Sequence, residues 1–109
     1  MVLYINETIM KYNHWIIAYD ICDEKRLQKV RKICERYAVR IQKSLFEINF
    51  SQTKSPQKVY ENFRKELFRI TEESDSVLFI PICEKDFVKI EKYGFFEESN
   101  VIRESFAVL

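Results

Sequence analysis

Asp20 is the residue whose place in the chain packing explains least well. It falls near the end of the apolar run Trp15 to Ile21 and, at alternate positions along a strand, shares a face with Ile16 and Ala18. A carboxylate there has two uses. It can cap or turn the chain into a following helix. It can instead sit on a sheet face, where losing water demands a counter-charge or a metal ion. Two copies meeting across a twofold axis would repel, share a proton, or hold a divalent cation between them. A cation held that way can activate water or stabilise a phosphoryl oxygen. Ser44 and Phe46 alternate with Gln42 further along. In that pattern a serine can orient a water or a phosphate and a phenylalanine can stack on a base, and ordinary sheet packing accounts for the same residues.

Charge adds a second candidate surface. From Asp23 to Lys43 there are eight basic residues against three acidic ones, a local +5 in a chain whose formal total is +1. Lys25, Lys29, Lys32 and Arg36 recur at helical spacing, and Arg26 and Arg40 lie beside them. This is the footprint of a phosphate-binding stripe or of a solvated helix face. The near-neutral total does not by itself mark a nucleic-acid binder.

Other chemistries have little support. The three cysteines, Cys22, Cys34 and Cys83, form no CxxC pair and have no metal-ligand spacing, as expected of reduced thiols in a cytoplasmic protein. His14, the only histidine, has no evident partner and is assigned no role. No P-loop, GxSxG or Cys–His pattern occurs. The stretch from Met1 to Asn13 lacks the basic start and apolar run of a signal peptide. No apolar run is long enough for a membrane span.

The elements that would position these residues follow from hydropathy. Trp15–Ile21 reads as a buried strand. Asp23 is a helix N-cap, and Leu27, Val30, Cys34 and Tyr37 form the core side of the helix it starts. Val39–Phe50 is β-rich, with neither alternate set wholly polar. Ser55 and Pro56 start a second helix carrying Tyr60, Phe63, Leu67 and Ile70. Ser76–Ile82 is another apolar strand, Asp86–Glu91 a short helical turn, Gly94 a tight connection, and Val101–Leu109 a last strand or extended tail. The order predicts an α+β, ferredoxin-like βαββαβ sandwich with an antiparallel sheet, two helices on one face and an extra C-terminal strand. Residues 1–13 form an N-terminal extension and 14–109 the domain. The strands are apolar on both sides: Ile16 and Ala18 against Ile17 and Tyr19, Val77 and Phe79 against Leu78 and Ile80. An open apolar face of that size predicts a symmetric homodimer packed sheet to sheet.

Three segments resemble, in order, the motifs of the CRISPR-associated endoribonuclease family. They are Tyr19, Asp20, Ile21 with Asp23, Lys25 and Arg26; Tyr37 with Val39 through Glu47; and Asp75, Ser76 and Val77 through Cys83, followed by Gly94. The resemblance runs from about Trp15 to about Gly94. It implies a ferredoxin-like homodimer that partners CRISPR integrase subunits in spacer acquisition. It implies metal-dependent cleavage of single-stranded RNA or double-stranded DNA, with Asp20 as the catalytic, magnesium-binding residue paired across the dimer. Other family members serve as a non-catalytic scaffold holding integrase and duplex DNA. Ala38 stands where family members often carry Gly at the end of the first helix. The site residues to follow are therefore Asp20 for metal and catalysis, Ser44 and Phe46 for water or phosphate positioning, and Lys25, Arg26, Lys29, Lys32, Arg36 and Arg40 for nucleic acid. A ferredoxin-like regulatory or toxin-type ribonuclease unconnected with CRISPR is a third reading, since the fold carries many functions.

Overall fold

The computed structural model describes residues 12–94. The first strand, β1 (His14–Asp20), alternates as the sequence predicts: Trp15, Ile17 and Tyr19 are buried, while Asp20 is exposed. Asp23 then caps α1 (Glu24–Tyr37), its carboxylate accepting the Arg26 amide at 2.9 Å. The helix ends at Ala38, whose φ of −139° is extended backbone, so no left-handed residue is required there. α2 (Pro56–Ile70) begins with proline in its first turn. β4 (Ser76–Ile82) follows, then the short α3 (Glu84–Phe87).

The stretch 39–50 departs from a single strand. It is a hairpin of β2 (Val39–Gln42) and β3 (Leu45–Asn49), with Lys43 and Ser44 as its turn and a register shift between Arg40 and Gln42. Tight hairpin turns usually need positive φ, hence Asn or Gly. Among the described residues only Gly94 has positive φ, at +100°, so this turn carries no such marker. The irregular step reverses the alternation read from the sequence. It turns Phe46, Ile48 and Phe50 into the core.

The four strands form one antiparallel sheet in the order β2-β3-β1-β4, the ferredoxin-like arrangement, with β1 and β3 central. One face carries Trp15, Ile17, Tyr19, Phe46 and Ile48 against Val30, Ile33 and Cys34 of α1 and Tyr60, Phe63 and Leu67 of α2. Aromatic contacts knit the layers: Tyr37 stacks on Phe63 at 4.7 Å, and Phe79 meets Phe63 edge-on at 5.3 Å. Such pairs add about 0.5–1.5 kcal/mol beyond area burial. The helices are tied by Arg36 and Tyr37 to Glu66.

The other face is less bare than expected. Leu78 and Ile80 are 58% and 41% exposed on it. At one end, however, the chain after β4 returns over the sheet. Phe87 stacks on His14 at 4.1 Å, and Lys92 reaches Glu47 at 2.8 Å, with Glu47 only 3% exposed. Glu47 is opposite Ile16 in the β1–β3 register, so this ion pair lies on the face away from the helices. The proposed strand Val101–Leu109 and nearly all of the 1–13 extension lie outside the described residues. No helix among the described residues is long and apolar enough to cross a membrane.

Candidate functional site

Asp20 ends β1 on the face away from the helices, directly opposite Ser76 of β4. On its other side the β1–β3 register runs to Ala18 and Leu45, and the Tyr19 amide then donates to the Ser44 carbonyl at 3.2 Å. The Tyr19 hydroxyl donates to the Lys43 carbonyl at 3.1 Å. Burial pushes that hydroxyl up to about 12, so it stays a donor through the physiological range. The Lys43–Ser44 turn is thus tied to the Asp20 end of the sheet. Asp20 and Ser44 come to one end of the molecule, and Ser76 and Lys43, which the sequence reading did not single out, flank them.

Three aspartates lie close in the fold, and two are already committed. Asp23 caps α1. Asp75 accepts the amides of Cys22 at 3.1 Å and Glu72 at 2.9 Å, and takes the Arg26 guanidinium in a fork at 2.9 and 3.2 Å. The Arg26 bond, then the Glu72 and Cys22 amides, hold the Asp75 carboxyl well below the usual carboxylate range. Asp20 alone has no hydrogen-bond or ion-pair partner among the described residues. No cluster of three or more His, Cys, Asp or Glu side chains among them is arranged to hold a metal ion.

The other predicted residues separate into two groups. Phe46 is fully buried, facing Tyr19 at 6.0 Å, and offers no ring for a base to stack on. Of the two readings of Phe46, base stacking and ordinary sheet packing, its position in the core matches the second. Ser44 is an exposed turn residue rather than a mid-strand one. Of the basic set, Lys25, Lys29 and Lys32 are exposed along α1. Arg26 bridges Asp75 and Glu72, the latter at 3.0 Å. Arg36 pairs with Glu66 at 2.6 Å. Tyr37 and then Arg36 lower the Glu66 carboxyl. Arg40 is half-buried and donates to the Gln42 and Lys43 carbonyls at 3.3 and 3.4 Å. Those partners are 2 to 49 residues away in the chain, which helical spacing could not reveal.

Comparison with known proteins bears on the same residues. A family model described as CRISPR associated protein Cas2 matches residues 13–90, from just before β1 to just beyond α3. The chain belongs to the Cas2 family. A CRISPR-associated endoribonuclease Cas2 of Synechocystis sp. is 32% identical over 81 residues, covering 73% of this chain and 83% of the relative. One from Moorella thermoacetica is 32% identical over 85 residues, covering 72% and 83%. The crystal structure of Streptococcus pyogenes Cas2 at pH 6.5 superposes with a TM-score of 0.59 at 29% identity, covering 74% of this chain and 99% of that one. A hypothetical protein from Thermus thermophilus shares the fold, with a TM-score of 0.64 at 23% identity and coverage of 78% and 94%.

Proposed function

We propose that this Cas2-family chain is a metal-dependent endonuclease of CRISPR adaptation. It acts as a homodimer on single-stranded RNA or double-stranded DNA and partners CRISPR integrase subunits. The observation that carries this reading is Asp20: an exposed carboxylate with no partner among the described residues, at the end of β1, on the sheet face where Leu78 and Ile80 are uncovered. The curated relatives from Synechocystis and Moorella are named endoribonucleases, which supports the same reaction class.

The donor chemistry fits a hard cation shared between copies rather than one held by a single chain. Of the three aspartates near this end of the sheet, Asp20 is the one left uncommitted among the described residues, and two copies bring two. Magnesium is usually bound by one or two carboxylates with phosphate oxygens and water completing its shell. When bound, such an ion supplies charge neutralisation at the phosphodiester and a more acidic water. The Asp20 carboxylates would hold it. Hydrolysis then adds a water oxygen to phosphorus and breaks one ester P–O bond, and the leaving oxygen takes a proton. Lys25, Lys29 and Lys32 would hold flanking phosphates by charge alone, without reading sequence. Ser44 and Ser76 stand at the same sheet end with hydroxyls suited to orienting water or phosphate.

A second reading, a non-catalytic scaffold that binds duplex DNA and bridges integrase subunits, is favoured by one feature. The exposed lysines belong to the helix layer, whereas Asp20 lies on the opposite face of the sheet.

The deciding experiment is cleavage of labelled single-stranded RNA and duplex DNA by the wild type and by Asp20→Asn, with magnesium and with chelator. The hydrolytic reading expects cleavage by the wild type with magnesium only, and none by a folded Asp20→Asn. Equal cleavage by both proteins would remove Asp20 from the chemistry. Binding of duplex with no cleavage by either would favour the scaffold.

A further inference from the structure

Asp75 and Arg26 are joined 49 residues apart in the chain and immediately beside Asp20. Ser76, the residue after Asp75, is the register partner of Asp20. Cys22, two residues after Asp20, gives its amide to Asp75 at 3.1 Å, and its thiol approaches the Ser74 carbonyl at 3.1 Å. The two chain segments leaving the β1–β4 pair are therefore stapled together within two residues of the pair. The Asp75 side chain is completely shielded from solvent. Its two oxygens receive four donors: the Cys22 and Glu72 amides and both arms of the Arg26 fork. A carboxylate has roughly four lone-pair sites, so Asp75 has none left for a metal ion. Arg26, in turn, spends its planar fork on Asp75 and its remaining amino group on Glu72 at 3.0 Å. Such two-point pairing fixes orientation as well as charge.

We propose that Arg26 and Asp75 are positioning residues, a clamp that fixes the end of β1 so that Asp20 is held in one orientation, and that Arg26 is not a phosphate contact. The proposal rests on the hydrolytic reading of Asp20 for its catalytic consequence. The clamp itself and the assignment of Arg26 stand on the geometry. The six basic residues of the predicted nucleic-acid stripe then differ in kind: Lys25, Lys29 and Lys32 neutralise phosphates, while Arg26 neutralises the protein's own buried carboxylate.

The test uses full-length Asp75→Asn, Arg26→Gln and Arg26→Lys, with Lys29→Gln as comparison. Backbone order parameters come first, because they need neither substrate nor metal. In the wild type the amides of Ile21 and Cys22 should be as rigid as Ile17, near about 0.85. In Asp75→Asn they should fall toward about 0.6 with Ile17 unchanged. Binding to a fluorescent single-stranded RNA is measured across salt concentrations. Lys29→Gln should flatten the salt dependence by about one phosphate's worth, whereas Arg26→Gln should leave the slope as it is. In cleavage, displacement of a reacting group by about 1 Å costs on the order of 100-fold. Asp75→Asn and Arg26→Gln should therefore lower kcat by about 10- to 100-fold with KM held. Arg26→Lys, which keeps the charge but loses the fork, should recover only part of the loss. Unchanged order parameters in Asp75→Asn, or a slope reduced by Arg26→Gln as much as by Lys29→Gln, would overturn the proposal. Wild-type cleavage by a loosened Asp75→Asn would overturn it too. Failure of the hydrolytic reading looks different: the wild type itself does not cut, while a loosened Cys22 amide and an unchanged Arg26→Gln slope still support the clamp.

Discussion

The two faces of the sheet are built on opposite terms. Toward the helices, alternate residues of β1 and β3 meet a close-packed aromatic and aliphatic core, with Phe63 and Phe46 fully buried. Away from the helices, Ile16, Ala18, Leu78 and Ile80 make an apolar surface that is only partly covered, and its covered end contains an ion pair, Glu47 with Lys92. The first face provides the stability of a single chain. The second leaves apolar area, the Asp20 carboxylate with no partner among the described residues, and a returning segment. Hydrophobicity of the strands alone does not distinguish these roles, because both faces have it. What distinguishes them is which side the two amphipathic helices can reach.

The sharpest way to break the comparison is to remove a ring from the packed face. Phe63→Ala deletes a side chain in contact with Tyr37 and Phe79 and should cost about 3–5 kcal/mol, seen as a large drop in the thermal or urea midpoint. A midpoint within experimental error of wild type would mean that the helix-side core is not the main source of stability. The covered end of the other face should come next. Lys92→Ala leaves the Glu47 carboxylate buried without its ammonium partner and should cost about 1–3 kcal/mol. Glu47→Gln in the same background should recover part of it, and the midpoints of the single and double variants check this. On the uncovered part, Leu78→Asp should change single-chain stability by no more than about 0.5 kcal/mol. It should nevertheless shift sedimentation at micromolar concentration from dimer toward monomer. Unchanged sedimentation would show that this face does not self-associate.

Acid titration gives the smallest effect under ordinary conditions. The Asp75 carboxyl is depressed by Arg26 and two amides, so its folded form holds fewer protons than the unfolded chain once the pH falls near the ordinary aspartate value of 3.8. The stabilisation it contributes is complete above that value and is lost as the pH falls toward the depressed folded value. Asp75→Asn should therefore show a flatter acid limb in midpoint against pH, with the two curves parallel above pH 5. A parallel acid limb would mean that the clamp contributes nothing through its charge.

Much of this architecture is visible in the sequence because it is local and periodic. Trp15, Ile17 and Tyr19 alternate with Ile16, Ala18 and Asp20, and the parity assigns Asp20 to the correct face. Leu27, Val30, Cys34 and Tyr37, and later Tyr60, Phe63 and Leu67, mark helix faces by the same logic. Alternation fails between Val39 and Phe50 because the turn at Lys43–Ser44 uses no positive φ and the adjacent register shift moves the phase. That hidden step leaves Phe46 open to two readings in the sequence, base stacking or sheet packing, and the fold puts it in the core. The basic stripe was legible as charge but not as allegiance. Arg26 and Arg36 have partners brought to them by tertiary packing, and nothing within a helical turn announces Asp75 or Glu66. The Glu47–Lys92 pair was hidden for the same reason.

Strand order also governs how the chain reaches this state. β1 lies between β3 and β4, so Trp15 pairs with Pro81 only after nearly the whole described chain has been gathered. No hairpin nucleates that contact, and closing so long a loop is an entropic step taken before any pairing rewards it. The β2–β3 hairpin and the two helices can assemble locally, whereas the strand bearing Asp20 gains its second neighbour only through the most distant pairing among the described strands. Without that pairing β1 has an open edge, the kind of template on which chains aggregate. The docking of β4 closes that edge, and the same event creates the Asp20–Ser76 pair and seats the Arg26–Asp75 clamp.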